Sequence, residues 1–266
     1  MALVGCRLSG MSLDCCEYDL AIFAPNQVNR VVEVDRHAAE LMHFAGPTKK
    51  NILDLGIMQV LRDTNKFELS IAARDIAVVK HSKVLAVAGK KSLISSLFCQ
   101  QKMIQAKQPA VAAMWLKIAA YEFIEGVLAL SNSRPMPLHE LEQVRQTDVR
   151  GMAEAVEIAL ECVGIETATR PAISRSIQAI KELKAKDYDR DLFVSKVNHL
   201  LDRSMLTDCY FYAGRVAAKN LVSRKESFHD RYVKLVQLAL SLSSDMQQLE
   251  KLQKLLAKAA NFGLKG

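Results

Sequence analysis

The sequence predicts an α+β fold, in which a small mixed-sheet domain is followed by a larger domain made only of helices. Up to about residue 70, short apolar segments are interrupted by Gly, Pro and Asn, which is typical of strands joined by turns. After that point apolar residues recur every three or four positions, which indicates helices. We therefore expect one domain over 1–75 and a second over 76–266.

The strands of the first domain are predicted from its apolar segments. They are expected at Val4, at Leu20-Ala21-Ile22-Phe23, at Val31-Val32-Glu33-Val34, and at Leu41-Met42-His43-Phe44. The second of these segments ends at Pro25 and the last at Gly46-Pro47, both typical of turns. Apolar residues between Leu53 and Leu61 predict one helix among the strands.

The helices of the second domain are predicted from periodicity. Pro109 begins the most apolar stretch, where the first turn of a helix tolerates proline, and the segment Arg134-Pro135-Met136-Pro137 ends it. Further helices are expected at about 148–163, 171–186, 190–205, 207–222 and 227–260. These elements predict a helical bundle.

Composition restricts the class of protein and its compartment. The chain has 266 residues, of which half are hydrophobic, so wholesale disorder is excluded. The net charge of +7 suits a polyanionic partner, although a basic solvated surface also explains it. The six cysteines lack zinc-type spacing and suit a reducing compartment. Neither a signal peptide nor a membrane-spanning run is evident, so we expect a cytoplasmic protein without a membrane partner.

Residues suited to phosphate and metal chemistry occupy the first twenty positions. A short strand ends at Gly5, a turn runs to Gly10, and Glu17 and Asp19 open the next strand. Because side chains alternate along a strand, these two carboxylates project from the same face. Paired carboxylates suit hard cations such as Mg²⁺, and a glycine lets the backbone approach a phosphate closely.

This arrangement resembles the nucleotidyltransferase superfamily with the polymerase-β-type catalytic domain. The family signature is an apolar residue, Gly, and Gly or Ser, followed after a spacer by Asp, an apolar residue and Asp or Glu. Gly5 and Cys6 match the first pair, and after ten residues Glu17 and Asp19 match the carboxylates. The string Gly-Cys-Arg-Leu-Ser-Gly is similar to the Gly-Ser-Arg-x-x-Gly variant of small prokaryotic and archaeal members.

The resemblance implies transfer of a nucleoside monophosphate from a nucleoside triphosphate, expected to be ATP, to an acceptor hydroxyl, with loss of pyrophosphate. Two Mg²⁺ ions are expected to bind Glu17 and Asp19. The residues expected to face the phosphates are Gly5, Cys6, Arg7 and Gly10. The acceptor could be a small molecule, an RNA end or a protein, and the resemblance does not choose among them. A homodimer is one of the expected oligomeric states.

The resemblance also implies a third carboxylate from a neighbouring strand. Glu33 and Asp35 share one face of their segment, because they alternate with Val32 and Val34. Either Glu33 or Asp35 completes the catalytic set, and Asp35 is also expected as a metal ligand. Alternation does not choose between the two, and an exposed acidic strand edge is the other interpretation.

Two departures from the signature support a second hypothesis. Cys6 replaces a serine hydroxyl with a weaker hydrogen-bonding thiol, and Glu17 replaces an aspartate with a longer side chain. Under this second hypothesis the domain is catalytically degenerate, and the protein binds a nucleotide or nucleic acid or serves as a scaffold.

The helical half offers two looser resemblances. The stretch from Tyr121 to Arg145 is similar to the helical domain that walls the acceptor pocket of stand-alone nucleotidyltransferases, including aminoglycoside-modifying enzymes. Arg224 and His229 have the spacing of the ribonuclease pair in HEPN-type helical domains, a spacing that also arises by chance.

Overall fold

The computed structural model describes residues 1–24, 28–34, 37–48, 55, 57–64, 67–77, 81–149, 151–183, 189–243 and 245–265. The chain divides into two compact units, Met1–Val84 and Leu85–Gly266. The first contains a small mixed sheet and the second is mostly helical, so the predicted α+β class is confirmed. In the part of the chain that the structure describes, every helix is too short or too polar to cross a membrane.

The sheet of the N-terminal unit has five strands. They are β1 (Ala2–Val4), β2 (Tyr18–Phe23), β3 (Arg30–Val34), β4 (His37–Phe44) and β5 (Gln59–Val60). Their order across the sheet is β3-β4-β2-β1-β5. β2 is antiparallel to β1 and parallel to β4, while β3 is antiparallel to β4. The central strand β2 therefore lies between β1 and β4.

One face of this sheet carries the apolar core of the N-terminal unit. Val4 and Ala21 are buried there and pack with Leu55, and Ala2 packs with Leu69. Asp19 projects from the same face, because it lies two residues before Ala21 on β2. The carboxylate of Asp19 therefore lies at the end of an otherwise apolar surface.

In the segment from Leu53 to Leu61, where one helix is predicted, residues 53, 54 and 56 lie outside the described residues and Leu55 is helical. At its C-terminal end, Gln59–Val60 forms β5 and pairs with β1. The described helices of this unit are α1 (Cys6–Ser9) and α2 (Glu68–Ala77).

The C-terminal part of the chain is built from helices of very different length. They are α3 (His81–Gln105), which begins just before the second unit, α4 (Pro109–Leu130), α5 (Glu140–Gln146), α6 (Ala153–Val163), α7 (Arg170–Glu182), α8 (Arg190–Asp202), α9 (Leu206–Val222), α10 (Glu226–Arg231), α11 (Val233–Leu240) and α12 (Met246–Lys265). A 3₁₀ turn, Ile165–Thr167, follows α6.

Helix α4 is the centre of the helical unit. Nearly all of its residues are buried, as expected for a helix that is apolar on every side. It packs against α6, α9, α11 and α12. It also approaches α3 closely, since a Cβ added at Gly89 would lie only 2.8 Å from the carbonyl oxygen of Gly126.

The prediction of one long helix over 227–260 is wrong. The segment contains α10, α11 and the greater part of α12. Ser241 ends α11 in a left-handed conformation with φ 49°, and the Asp245 carboxylate accepts hydrogen bonds from the backbone N–H groups of Gln247 and Gln248 at the start of α12. The spacing of apolar residues continues through the whole segment, but local backbone conformation and capping divide it into separate helices.

Candidate metal and nucleotide site

Three carboxylates converge at one end of the sheet. Glu17, Asp19 and Glu40 each offer one oxygen, and the three oxygens lie within 4.8 Å of one another. Asp19 on β2 and Glu40 on β4 are direct partners in the parallel pairing, so their side chains share a face. Glu17 comes just before β2, two residues from Asp19, and is only 9% exposed.

The chemistry of this cluster fits a hard divalent cation. Like charges at such short separation repel one another, and burial of Glu17 increases the cost. Carboxylate oxygens are the ligands that Mg²⁺ prefers, and a bound cation offsets the repulsion. The donor set of Glu17, Asp19 and Glu40 therefore fits magnesium, the metal expected from the sequence.

Gly5 forms a cradle beneath the Asp19 carboxylate. Its φ of 80° lies in the left-handed region, where a side chain is strained. A Cβ added at this position would also overlap Asp19 Oδ2 and would lie 2.8 Å from Asp19 Cγ. Two independent constraints thus require glycine here. The turn after β1 therefore packs directly against the carboxylate on β2.

Arg7 holds the segment that leads into β2. Its Nε donates a hydrogen bond to the Glu17 carbonyl oxygen at 3.2 Å, and its Nη2 donates to the Cys16 carbonyl oxygen. Its guanidinium lies 3.9 Å from the centroid of the Tyr18 ring, a cation–π contact. These contacts fix the backbone that carries Glu17. Contact of Arg7 with a phosphate stays a prediction.

Cys6 lies beside Cys16 in this turn. Both residues are buried, their Sγ atoms are within 4.8 Å, and the backbone N–H of Leu13 donates to Cys16 Sγ. A hydrogen bond with the Cys16 thiol, together with burial, raises the pKa of Cys6. The Cys6 thiol is therefore neutral at physiological pH and adds no negative charge next to the carboxylates.

Gly10 ends α1 in the left-handed conformation, with φ 75°. Apart from its two chain neighbours, no heavy atom of the described residues lies within 4 Å of a Cβ added there, so its backbone conformation favours glycine. The structure therefore shows why the turn contains Gly10, and its predicted role toward a phosphate stays a prediction.

The two predicted candidates for the third carboxylate have different outcomes. Glu33 lies on β3, is exposed and pairs with Ala38 of β4. It shares a face with Glu40, but β4 separates it from β2, so it does not join the cluster. Asp35 lies outside the described residues. The structure brings Glu40, rather than Glu33, to Glu17 and Asp19.

Glu40 was missed because the sequence pattern placed the start of its strand at Leu41. The strand begins four residues earlier, at His37. A usable signal was present, since Glu40 directly precedes the apolar run Leu41–Phe44 just as Asp19 precedes Leu20–Phe23. Only parallel pairing of the two strands aligns these acids, and that pairing is not visible in local sequence.

The ribonuclease interpretation of Arg224 and His229 finds no support. His229 is completely buried, its Nε2 lies 3.0 Å from the Leu221 carbonyl oxygen, and its ring packs edge-on against Trp115. Burial also lowers the pKa of His229. Arg224 stacks on Phe228, with its guanidinium 5.0 Å from the ring centroid. Both side chains have structural roles.

The chain matches no protein-family model, no curated protein and no solved structure.

Proposed function

We propose that the protein is a magnesium-dependent nucleotidyltransferase that transfers a nucleoside monophosphate from a nucleoside triphosphate to an acceptor hydroxyl. The observation that carries this proposal is the cluster of Glu17, Asp19 and Glu40 beside the Gly5 turn. It joins the motif that resembles the polymerase-β-type family to a third carboxylate on the adjacent strand. The sequence motif by itself contained only two of these acids.

The residues of the chain divide the work between binding and positioning. Glu17, Asp19 and Glu40 would hold the metal, and Gly5 leaves room for the Asp19 carboxylate, which lies where a side chain at position 5 would be. Arg7 positions Glu17 through the backbone. When bound, Mg²⁺ would neutralise charge on the triphosphate and lower the pKa of the acceptor hydroxyl. The chain thereby contributes mainly preorganised charge and orientation.

Calorimetry of Mg·ATP binding tests the proposal with three variants of similar chemistry. Asp19→Asn and Glu40→Gln each remove one charge from the cluster and should weaken metal-dependent binding by at least about tenfold, because a charge-assisted contact is worth roughly 1.5–3 kcal/mol. Glu33→Gln removes a charge from the same sheet face outside the cluster, and its affinity should equal that of the wild type. Equal affinity in all four proteins would contradict the assignment.

The chemistry of Cys6 favours one second candidate, a degenerate domain that binds a nucleotide without transferring it. The neutral Cys6 thiol occupies the position where the family has a hydroxyl, and a thiol donates only weak hydrogen bonds. Incubation with α-labelled ATP and pooled small molecules, RNA or protein separates the two candidates. Transfer of label supports the enzyme. Metal-dependent binding without transfer, in both the wild type and Cys6→Ser, supports the degenerate domain.

A further inference from the structure

Helix α3 has an exposed apolar row on the side opposite its buried face. Leu93, Ser96 and Gln100 face the helical unit and are nearly or completely buried. Val87, Ile94 and Phe98, which we call the outer row, are 71%, 58% and 59% exposed. They are seven and four residues apart, so at 3.6 residues per turn they form one straight line along the helix. The helix therefore has a buried side and, opposite it, an exposed apolar row.

Lysines flank the outer row on both sides. Lys90 and Lys91 lie between Val87 and Ile94 in sequence and project to opposite sides of the row, and Lys83 continues the side of Lys90. All three lysines are exposed. Residues 81–105 contain no Asp or Glu. The charge along this face therefore has one sign.

The outer row ends at Phe98. Beyond it the same side of the helix is polar, and the next lysine forms an ion pair within the protein. Gln101 and Gln105 continue the line after Phe98. The next lysine, Lys102, forms an ion pair with Glu226 of α10 at 2.6 Å. Lys83, Lys90 and Lys91, which form no ion pair with the residues that the structure describes, accordingly surround only Val87 and Ile94. The apolar row extends over about three helical turns.

We propose that this face of α3 is a docking surface for an acidic amphipathic helix of a partner protein. A narrow row at seven- and four-residue spacing fits the apolar row of a second helix, as in coiled coils. Flanking charges select the partner, and Lys83, Lys90 and Lys91 require acidic residues beside its apolar row.

The same charge pattern disfavours the other occupants of such a face. Two copies of α3 packed on one another would bring lysines against lysines, which costs free energy. A helix that binds an anionic membrane needs a wide apolar face, whereas here lysines directly border a single row. A nucleic acid would leave Ile94 and Phe98 against a charged backbone. An acidic amphipathic helix would cover the apolar side chains of the outer row and would also pair its carboxylates with the flanking lysines.

The test uses two synthetic helical peptides and the full chain. Both peptides have leucines in one row at the spacing of Val87, Ile94 and Phe98. One peptide carries glutamates beside the row and the other carries lysines. Fluorescence anisotropy should show at least tenfold tighter binding of the acidic peptide, with an affinity that falls as salt rises. Equal affinity for the two peptides, or binding of neither, would overturn the proposal.

Variants then locate the binding on α3. Ile94→Ser with Phe98→Ser should weaken binding of the acidic peptide at least tenfold, and Lys90→Glu with Lys91→Glu should make the basic peptide the tighter ligand. Leu238→Ser, at a 48% exposed leucine on α11, is the matched control and should bind as the wild type does. Circular dichroism checks that each variant is folded, as expected for exposed positions.

Three other results would overturn the choice of partner. The first is a dimer in sedimentation that the Phe98→Ser variant loses. The second is Phe98-dependent binding to phosphatidylserine vesicles without binding of the acidic peptide. The third is Phe98-dependent binding of single-stranded RNA that the acidic peptide does not displace. Each result assigns the outer row to a different occupant, a second copy, a membrane or a nucleic acid.

Discussion

Residues without a negative charge determine where the carboxylates of the site lie. Gly5 has a left-handed backbone and lies against the Asp19 carboxylate, so its small size is required by conformation and by contact. Arg7 has a comparable role, because it fixes the carbonyl groups of Cys16 and Glu17 rather than leaving its charge in solvent. The position of the carboxylates therefore depends on neighbouring residues that bear no negative charge.

Gly5→Ala should disrupt the site more than it disrupts the fold. The added Cβ forces Asp19 to move and strains the backbone, at a cost of about 1–3 kcal/mol. We expect loss of Mg·ATP affinity in calorimetry together with a measurable loss of stability in urea. Gly46→Ala is the control, because among the described residues no heavy atom beyond its chain neighbours lies within 4 Å of its added Cβ. Similar affinity of both variants for Mg·ATP would refute the role assigned to Gly5.

Lys117 is a buried amine in the helical unit. Its Nζ donates hydrogen bonds to the Tyr210 hydroxyl at 2.8 Å and to the Leu240 carbonyl oxygen at 2.6 Å. Burial lowers the pKa of Lys117 to about 7, against an opposing effect of Glu166. Near neutral pH the amine is therefore present in both its charged and its neutral form, and the neutral form still has N–H groups to donate.

The low pKa of Lys117 predicts a pH-dependent stability. Since the folded pKa lies below the ordinary lysine value of 10.5, the unfolded chain holds a proton that the folded chain releases. The free energy of unfolding contributed by Lys117 should therefore rise from about pH 7 to about pH 10, by up to about 1 kcal/mol per pH unit. Denaturant unfolding of the wild type and Lys117→Met should show this rise only in the wild type. Exposed Lys251→Met should keep it.

At the scale of elements, one buried cation joins three helices. Arg215 of α9 is completely buried and contacts Glu122 and Glu125 of α4 and Glu140 of α5. Burial raises the pKa of Glu140 to about 8, so this carboxyl resists ionisation. Burial lowers the pKa of Arg215, while its contact with Glu122 opposes that change. The packing of α4, α5 and α9 therefore depends on matched charges as well as apolar contacts.

Arg215→Met should destabilise the helical unit by about 3–5 kcal/mol, because it leaves Glu122, Glu125 and the buried Glu140 without their cation. The double variant Arg215→Met with Glu140→Gln should recover part of this loss, because it also removes a buried carboxyl that has lost its partner. Arg175→Met, at an exposed position on α7, is the control and should change stability by less than about 0.5 kcal/mol. Denaturant unfolding measures all three variants. An Arg215→Met protein as stable as this control would contradict the argument.

Elements also show where local sequence reasoning succeeds and fails. The apolar segments at Leu20–Phe23 and Leu41–Phe44 predicted β2 and β4, because alternation and turn residues are local properties. The start of β4 was missed, since His37–Glu40 is less apolar than the segment that follows. The predicted helix over 227–260 failed because the left-handed Ser241 and the cap at Asp245 interrupt a continuous periodicity.

For the whole molecule, the division into two units has a thermodynamic consequence. Met1–Val84 has a small core below its sheet, whereas Leu85–Gly266 has a large helical core around α4. The two units are accordingly expected to unfold as separate cooperative blocks.

Differential scanning calorimetry should therefore resolve two transitions. Gly5→Ala should lower the temperature of only one transition, and Arg215→Met should lower only the other, because the two residues belong to different units. Addition of Mg·ATP should raise the temperature of the transition that Gly5→Ala lowers, since a ligand stabilises the unit that binds it. A single transition shifted by both variants would show that the units unfold together.

The sequence by itself determined the α+β class, the strand after the Gly5 turn and the common face of Glu17 and Asp19. These are consequences of alternation, periodicity and turn chemistry over a few neighbouring residues. Only the tertiary structure decided that Glu40 completes the carboxylate cluster and that Arg215 lies among three glutamates. Both depend on pairing and packing between segments far apart in the chain. Such contacts are set by burial and strand register, which local sequence does not encode.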